Sequence, residues 1–245
     1  MNHLLFLQSL LFMNFGHNQF IDYQVGNCLA MKTEGNIGRF NRVFNTGPLS
    51  PTDIEHIKVF FDNMPFTWII DAQDRQNRQL LEDSSFFFKG YFPALFLNLQ
   101  QLSCATQTDI TVKEAVEKDD FNIWVSLTSQ IYNYVENKAE FIKALQFLKN
   151  RAQENIKFYI GYYHGEPAST CMLIYHEDHV SIHFVGTLKQ FRRNGVGSAI
   201  IALPLLLAKD QGYHAALLMA SPEGLPLAQK VGFEEYTTYA IYGNY

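Results

Sequence analysis

The segment "QFRRNGVGSAI" at residues 190–200 changes from polar to apolar along its length. It brings two arginines and two glycines together, and more apolar residues follow it. The N–H groups in the first turn of a helix have no partner within the helix, and they lie at the positive end of its dipole. Glycines allow a ligand to approach such a backbone closely. The segment therefore predicts a loop that binds an anion, most naturally a diphosphate, at the start of a helix.

Three kinds of glycine-rich loop can be compared with this segment. A P-loop requires the pattern GxxxxGK followed by Ser or Thr, and the chain contains no such run. A dinucleotide fingerprint, GxGxxG, requires a small residue where the chain has Ile200, and a parallel β-α-β unit where we expect antiparallel strands. The remaining pattern is R/Q-x-x-G-x-G/A, which Arg192, Gly195 and Gly197 match.

The residues before the loop are predicted to form antiparallel strands. Residues 156–187 are rich in apolar, β-branched and aromatic side chains, with turn signals at His164–Pro167 and at Glu177–Asp178. This pattern indicates three strands, the last of which leads into the loop. Upstream, residues 109–115 alternate like a further strand.

Helices are predicted on both sides of these strands. Of two amphipathic helices before them, the first has Asp119 or Asp120 as its N-cap. After the loop, "GSAIIALPLLLAKDQGY" predicts a helix kinked at Pro204, because proline lacks the N–H that would bond the carbonyl four residues earlier. A strand "HAALLMAS", a short helix "LPLAQKVG" and a strand "EYTTYAIYG" complete the chain.

The first hundred residues give weaker signals. We interpret "IEHIKVFFDNM" and "RQNRQLLEDSSF" as helices, and "PFTWIIDA" and "PALFLNLQQL" as strands. A helix followed by an aromatic strand ends this half, as it ends the second half. That order suggests a divergent duplication with a boundary near residues 102–108.

The loop pattern and its surroundings resemble the GNAT superfamily of N-acetyltransferases. The strand "SIHFVGT" (181–187) precedes the pattern, a helix follows it, and "LAQKVGFEEY" (227–236) is similar to the closing motif of the family. Residues 108–245 resemble a complete catalytic GNAT domain, and residues 1–105 resemble the degenerate GNAT-like half of tandem members. The resemblance implies an α+β, mixed α/β fold with a mainly antiparallel central sheet flanked by helices.

The resemblance also implies that acetyl-CoA is the acyl donor, with its diphosphate on the loop and its pantetheine arm along the preceding strand edge. Ser221 stands where many members have an Asn that contacts pantetheine. The residues implied to bind acetyl-CoA are Val185, Gly186, Thr187, Arg192, Arg193, Asn194, Gly195, Val196, Gly197, Ser198 and Ser221.

The family transfers the acyl group directly to an amine, which requires a base because an alkylamine is protonated at neutral pH. His183 is the candidate base, since it lies two residues before Val185 on the same face of a strand, and some relatives carry a catalytic residue there or at the position of Ser181. An imidazole with an ordinary pKa near 6.5 suits this role. A histidine that is simply packed in the sheet remains an alternative.

The general acid departs from the family pattern. Many members protonate the leaving thiolate with a tyrosine, where this chain has Ala228. Tyr236, Tyr239 or Tyr242 could replace it if the last strand brings one near the sulfur, and otherwise water must serve. Glu177, Asp178 and His179 are expected to be solvated in a turn.

Composition limits the function classes. A net charge of −5 over 245 residues argues against a nucleic-acid partner, because phosphate backbones require clustered basic residues. Cys28, Cys104 and Cys171 are far apart, so we expect buried thiols and neither a disulfide framework nor a metal site. The apolar start has no basic region and is too short for a membrane span, so we expect an amphipathic first helix and a cytoplasmic protein without a membrane partner.

Two functions from different classes follow. The first is an acetyl-CoA-dependent N-acetyltransferase acting on a small amine or a peptide amine. The second is a non-catalytic acyl-CoA sensor or scaffold, which Ala228 favours. A nucleotide-binding oxidoreductase would require a different strand order. The sequence leaves the acceptor, the acyl length and a homodimer open.

Overall fold

The computed structural model describes residues 14–15, 18–19, 22–103 and 109–245. Cys104 lies outside these ranges, and so does the expected first helix except at residues 14–15, which form a short strand. Within the described ranges, no helix has the length and apolar character needed to cross a bilayer.

The described residues form both strands and helices. The strands are β1 (Asn14–Phe15), β2 (Asn18–Gln19), β3 (Tyr23–Val25), β4 (Cys28–Met31), β5 (Arg42–Asn45), β6 (Thr67–Asp71), β7 (Phe87–Asn98), β8 (Ile110–Glu114), β9 (Ile156–Tyr163), β10 (Glu166–Tyr175), β11 (His179–Thr187), β12 (Ala215–Met219) and β13 (Glu234–Gly243). The helices are α1 (Pro51–Phe61), α2 (Arg75–Asp83), α3 (Lys118–Ile131), α4 (Lys138–Ala152), α5 (Val196–Asp210) and α6 (Leu225–Val231). Short 3₁₀ turns lie at Leu99–Gln101, Gln153–Asn155 and Lys189–Phe191.

The chain folds into two compact units. The first contains the residues up to Ala94 together with residues 139–151 and 235–245, and the second contains residues 95–138 and 152–234. The two units are defined by which residues contact one another in space, so each contains separate stretches of the sequence. The division of the sequence into halves at residues 1–105 and 108–245 stays a prediction.

The sheet of the first unit has the order β3-β4-β5-β6-β13-β7. Neighbouring strands β3 and β4, β4 and β5, and β6 and β13 are antiparallel, whereas β5 and β6 are parallel. Its core is aromatic: Phe66 stacks on Phe61 with 4.2 Å between ring centroids, and Phe86 meets the edge of Trp68. Such contacts add about 0.5–1.5 kcal/mol each to the burial of the rings.

The sheet of the second unit has the order β7-β12-β11-β10-β9-β8. Strands β8 to β11 pair antiparallel with one another, and β11 pairs parallel with β12. Ile200 and Leu205 of α5 belong to the buried core on one face of this sheet, together with Ile182. Trp124 of α3 packs against Phe158. The predicted fold class, mixed and mostly antiparallel with flanking helices, is confirmed.

The two halves of the sequence repeat one order of elements. The series β3-β4-β5-α1-β6-α2-β7 has the same order as β9-β10-β11-α5-β12-α6-β13. In each series, the strand before the first helix is parallel to the strand after it. The N-terminal half therefore has the same order of elements as the C-terminal half, and its assignment as a degenerate GNAT-like half stays a prediction.

Two local expectations need correction, and one hairpin was not predicted. Because α5 crosses the sheet and returns the chain to the same end, β11 and β12 form the parallel β-α-β unit that the sequence analysis did not expect. The N-cap of α3 is Glu117, and Asp119 and Asp120 lie in the first turn, where the helix dipole also favours carboxylates. The hairpin of β3 and β4, which turns at Gly26 with φ 52°, was not predicted. Pro204 lies inside α5, and a kink there stays a prediction.

Candidate functional site

The predicted loop lies between the end of β11 and the start of α5. Gly195 is the N-cap of α5 and has φ 81° in the left-handed region, where glycine is the favoured residue. Arg193 also has a positive φ, at 70°. The loop therefore reverses the chain sharply before the helix begins at Val196, as the glycine pattern predicts.

The backbone of this loop presents a row of hydrogen-bond donors. In the part of the chain that the structure describes, no protein atom accepts a hydrogen bond from the N–H groups of residues 193–197. The N–H of Ser198 donates to the Gly195 carbonyl at 3.0 Å, and that of Arg192 donates to the Lys189 carbonyl at 3.3 Å. The free N–H groups of residues 193–197 can therefore bind an anion.

The charges around the loop also favour an anion. Arg192 and Arg193 are exposed, and the first turn of α5 contains no acidic residue. The Nε of Arg192 donates to the Thr187 carbonyl at 3.0 Å, which fixes the side chain next to β11. Guanidinium groups at a helix start are well suited to phosphate oxygens.

The corresponding helix of the first half, α1, has a different start. The carboxylate of Asp53 accepts hydrogen bonds from the Ser50 N–H at 3.0 Å and from the Ser50 hydroxyl at 2.7 Å, which completes a capping box. A carboxylate at the first turn of α1 repels a diphosphate. Of these two corresponding helices, only α5 therefore has an N-terminus that can bind a diphosphate.

The end of β11 has an open edge. Its parallel pairing with β12 ends at Ile182, opposite Leu218, whereas its pairing with β10 continues to Thr187, opposite Ser169. Residues 185–187 therefore have one edge without a strand partner in the part of the sheet that is described. Backbone groups at such an edge can pair with an extended ligand.

A β-bulge interrupts β11 at this edge. Between the pairs Met172–His183 and Thr170–Gly186, β11 has one residue more than β10, and Phe184 has φ 52°. The extra residue shifts the alternation of side chains. Val185 consequently packs against the core on the α5 side together with Ile182. The expectation that His183 and Val185 share one face was wrong for this reason.

Side chains from other elements hold the carbonyls of the bulge. Thr170 donates to the Phe184 carbonyl at 3.1 Å, and the hydroxyl of Tyr132 donates to the Val185 carbonyl at 2.7 Å. Because the carbonyls have donors, the bulge is fixed in one conformation. Gly186 contributes to this packing, since a Cβ atom there would lie 2.4 Å from Cγ2 of Ile131 at the end of α3.

His183 is half-buried next to the bulge, and its role as a base stays a prediction. On the same strand, His179, expected to be solvated, is instead 7% exposed. The Nε2 atom of His183 lies 2.9 Å from Oγ of Ser181, which is fully buried. The sequence placed these two residues on the same strand, and the hydrogen bond between them is a finding of the structure. Ser221 follows β12, and its Oγ accepts a hydrogen bond from the Gly224 N–H at 3.2 Å.

The proposed general acids lie elsewhere in the chain. Ala228 is buried in the core of the second unit. Tyr236, Tyr239 and Tyr242 belong to the first unit, in which the Tyr242 hydroxyl donates to Glu82 at 2.7 Å and burial raises the pKa of Tyr239. Their role as acids stays a prediction.

Tyr132 contacts the bulge, whereas the sequence pointed to its segment, residues 131–141, only as part of a site for the acceptor. It follows the last residue of α3, and only the folded structure brings its hydroxyl to a strand that is distant in the sequence. The aromatic segment "IYNYV" around it gave a weak signal, because tyrosines near helix ends are common in protein cores.

We expect Tyr132→Phe to weaken acetyl-CoA binding by about threefold to tenfold, since a net hydrogen bond is worth about 0.5–1.5 kcal/mol. Without the hydroxyl, the Val185 carbonyl loses its donor and the bulge loses part of its restraint. Calorimetric titration measures the effect, with Tyr213→Phe as the matched control on another partly buried tyrosine of the same unit. Equal affinities for the two variants would contradict the role of Tyr132.

The described cysteines are buried thiols. Burial raises the pKa of Cys28 to about 12, and it also raises the pKa of Cys171. Both were expected to be buried, and the structure confirms it. Across the described ranges, no group of three or more His, Cys, Asp or Glu residues is arranged to hold a metal ion.

Comparison with known proteins agrees with the geometry. Residues 121–233 match the model of the acetyltransferase (GNAT) family. A GCN5-related N-acetyltransferase from Kribbella flavida is similar in structure, with a TM-score of 0.71 and 15% identity over 97% of this chain and 91% of that one. A functionally unknown conserved protein from Staphylococcus epidermidis gives a TM-score of 0.71 and 12% identity over 91% of this chain and 92% of that one.

A tandem GNAT protein from the clavulanic acid biosynthesis pathway is also similar, with a TM-score of 0.57 and 9% identity over 82% of this chain and 74% of that one. At these identities the solved structures establish the fold, and the match to the family model applies to residues 121–233. Residues 121–233 of this chain form a domain of the GNAT acetyltransferase family, and the fold of the chain is that of GNAT proteins.

Proposed function

We propose that this protein transfers the acetyl group of acetyl-CoA directly to a primary amine. The observation that carries the proposal is the start of α5, where the free N–H groups of residues 193–197 and two exposed arginines lie next to the open edge of β11. A diphosphate joined to an extended, thioester-bearing arm has the shape and charge that this arrangement fits.

Different residues bind two parts of acetyl-CoA, the diphosphate and the pantetheine arm. The N–H groups of residues 193–197 bind the diphosphate, and Arg192 and Arg193 add charge. The open edge at residues 185–187 pairs with the pantetheine arm, and Ser221 is positioned after β12 to contribute a hydroxyl. The Ser198 hydroxyl lies in the first turn of α5, where it contributes a further polar group.

His183 acts as the base in the proposed reaction. It accepts a proton from the ammonium form of the acceptor, and the amine nitrogen then attacks the thioester carbon. A backbone N–H at residues 185–187 stabilises the charge that develops on the carbonyl oxygen. After the attack the nitrogen carries one further proton, which it gives to water as the carbon–sulfur bond breaks and the thiolate leaves. A thiolate whose thiol has a pKa near 8.5 is a tolerable leaving group, and it takes up a proton from water, so that the net reaction releases to solvent the one proton that His183 accepted.

Titration with acetyl-CoA tests the donor, with NADH as the control ligand. NADH is the appropriate control because β11, α5 and β12 form a parallel β-α-β unit, the context in which dinucleotides bind. We expect saturable binding of acetyl-CoA and none of NADH, since Ile200, buried in the core, occupies the position where the dinucleotide pattern needs a small residue. Binding of NADH alone would overturn the proposal.

Release of free CoA thiol in the presence of amines tests the reaction. We expect release that depends on the amine, screened over polyamines, amino acids, aminoglycosides and peptides. Acetyl-CoA binding without release by any amine would instead support the non-catalytic sensor that the buried Ala228 favours.

A further inference from the structure

Strand β8 lies at one end of the sheet of the second unit, where β9 is its only strand neighbour among the described residues. The His164 N–H donates to the Asp109 carbonyl, and the Ala115 N–H donates to the Phe158 carbonyl, so the odd-numbered residues bond β9. Because bonding direction alternates along a strand, the even-numbered residues point their backbone groups away from β9. Within the described ranges no protein group bonds them, so this edge can accept another strand.

The two faces of β8 carry different side chains. Ile110 and Val112 pack on the α5 side of the sheet, against the core. Thr111 and Lys113 alternate with them on the other face and are exposed. Asp109, next to the start of the strand, lies on the same face as Lys113, and its side chain is 59% exposed. The open edge therefore carries opposite charges on one face, four residues apart.

A second copy of this chain presents the same edge, so two copies can pair β8 with β8 about a two-fold axis. Even-numbered residues must then face even-numbered residues, which allows only registers centred on one residue of β8. Registers centred on Lys113 or Glu114 place like charges opposite one another, which destabilises a strand pair. A register centred on residue 112 places the buried Ile110 opposite Glu114. A register centred on residue 110 pairs only residues 109–111 of the described chain.

The register centred on Thr111 gives every side chain a suitable neighbour. Asp109 of each copy lies opposite Lys113 of the other, and the two Thr111 side chains face each other. On the α5 side, Ile110 lies opposite Val112, which continues the apolar core across the edge. Opposite charges, threonine pairs and apolar pairs all stabilise neighbouring strands. A lysine on an edge strand usually prevents pairing, but in this register a carboxylate of the second copy neutralises it.

We propose that two copies of this chain associate through β8, antiparallel and centred on Thr111. The sheets of the two second units then join in the order β9-β8-β8-β9. One short strand from each copy buries less surface than the roughly 1,200–2,000 Å² of a stable interface. The dimer therefore forms at high protein concentration and dissociates on dilution. This inference does not depend on the proposed function.

Cysteine cross-linking of the full chain tests the register. Thr111→Cys places two thiols opposite each other with about 4.5 Å between Cα atoms, which a disulfide can span. Lys113→Cys is the matched control, because its two thiols lie about 13 Å apart along the strands. We expect a disulfide-linked dimer from Thr111→Cys alone, above the background of the wild-type protein, which contains Cys28, Cys104 and Cys171. Equal cross-linking of the two variants, or none in either, would overturn the proposal.

Sedimentation velocity over a range of concentrations measures the association itself. We expect the average mass of the wild-type protein to rise towards that of a dimer. Asp109→Lys places lysines opposite each other and should weaken association by at least about tenfold. Adding Lys113→Asp to this variant restores opposite charges, and we expect association within about threefold of the wild type.

The control for net charge is Glu223→Lys. Glu223 is exposed after β12, four strands away from β8 in the sheet, and its replacement changes the charge by the same amount as Asp109→Lys. This variant should associate like the wild type, and circular dichroism verifies that every variant is folded. A wild-type protein that stays monomeric at all concentrations would overturn the proposal, as would a double variant that associates no better than Asp109→Lys.

Discussion

Replacing His183 with glutamine is expected to lower kcat by about 100- to 1000-fold, in the range that general-base catalysis contributes. Glutamine keeps a polar group that can bond Ser181, but its amide does not accept a proton at neutral pH. Acetyl-CoA binding should change less than about twofold, because the diphosphate contacts lie on residues 193–197. Amine-dependent release of CoA thiol gives kcat, and calorimetric titration gives the affinity.

The matched control for this variant is His164→Asn. His164 is exposed in the turn between β9 and β10 and has φ 48°, a conformation that asparagine tolerates. This variant should retain the wild-type rate. A His183→Gln enzyme within threefold of the control would remove His183 from the mechanism and leave it as a histidine packed in the sheet.

The elements of the second unit could be predicted because their patterns are local. A strand such as β10, "EPASTCMLIY", is apolar from Cys171 to its end, and the turn at His164–Gly165 separates it from β9. The helix after the loop begins within two residues of the glycine pattern that predicts it. Strand β7 was predicted from residue 93 and begins at Phe87, because the aromatic residues before Pro93 extend the strand beyond the most apolar part.

The pairing of strands was less accessible from the sequence. The direction of β12 relative to β11 depends on how α5 crosses the sheet, and the periodicity of each strand carries no such information. The hairpin of β3 and β4 has a short turn at Gly26 and strands of only a few residues, which leaves little alternation to detect. Cysteine and apolar residues in β4 are fully buried, so this strand has no polar face.

The loop of the site was predictable, and the contacts that support it were not. A glycine at positive φ before a helix has a sequence pattern, and Gly195 is such a residue. The bulge at Phe184 has none, because it arises from an extra residue relative to β10. The hydrogen bond from Tyr132 to the Val185 carbonyl joins groups that are 53 residues apart, so it depends on the packing of whole elements. From the sequence alone, a residue that supports the loop in this way can be recognised only as a polar side chain within an apolar segment.

Replacing Gly195 with glutamine is expected to raise the dissociation constant for acetyl-CoA by at least about 100-fold. At φ 81° a residue with a Cβ atom is destabilised by about 1–2 kcal/mol, so the loop relaxes and the N–H groups of residues 193–197 no longer point to one place. Each hydrogen bond to a charged group contributes about 1.5–3 kcal/mol, and the loss of two of them gives a factor of this size. Calorimetric titration measures the change.

The control for strain alone is Gly212→Gln. Gly212 follows the other end of α5 with φ 96°, and a Cβ atom there meets no other atom within 4 Å. Both variants therefore carry the same kind of backbone strain on the same helix, and thermal unfolding should show similar losses of stability. Only the Gly195 variant should lose acetyl-CoA, because only its N–H groups belong to the site. If both variants bind acetyl-CoA equally well, then the start of α5 does not hold the diphosphate, and the open edge of β11 must provide the affinity.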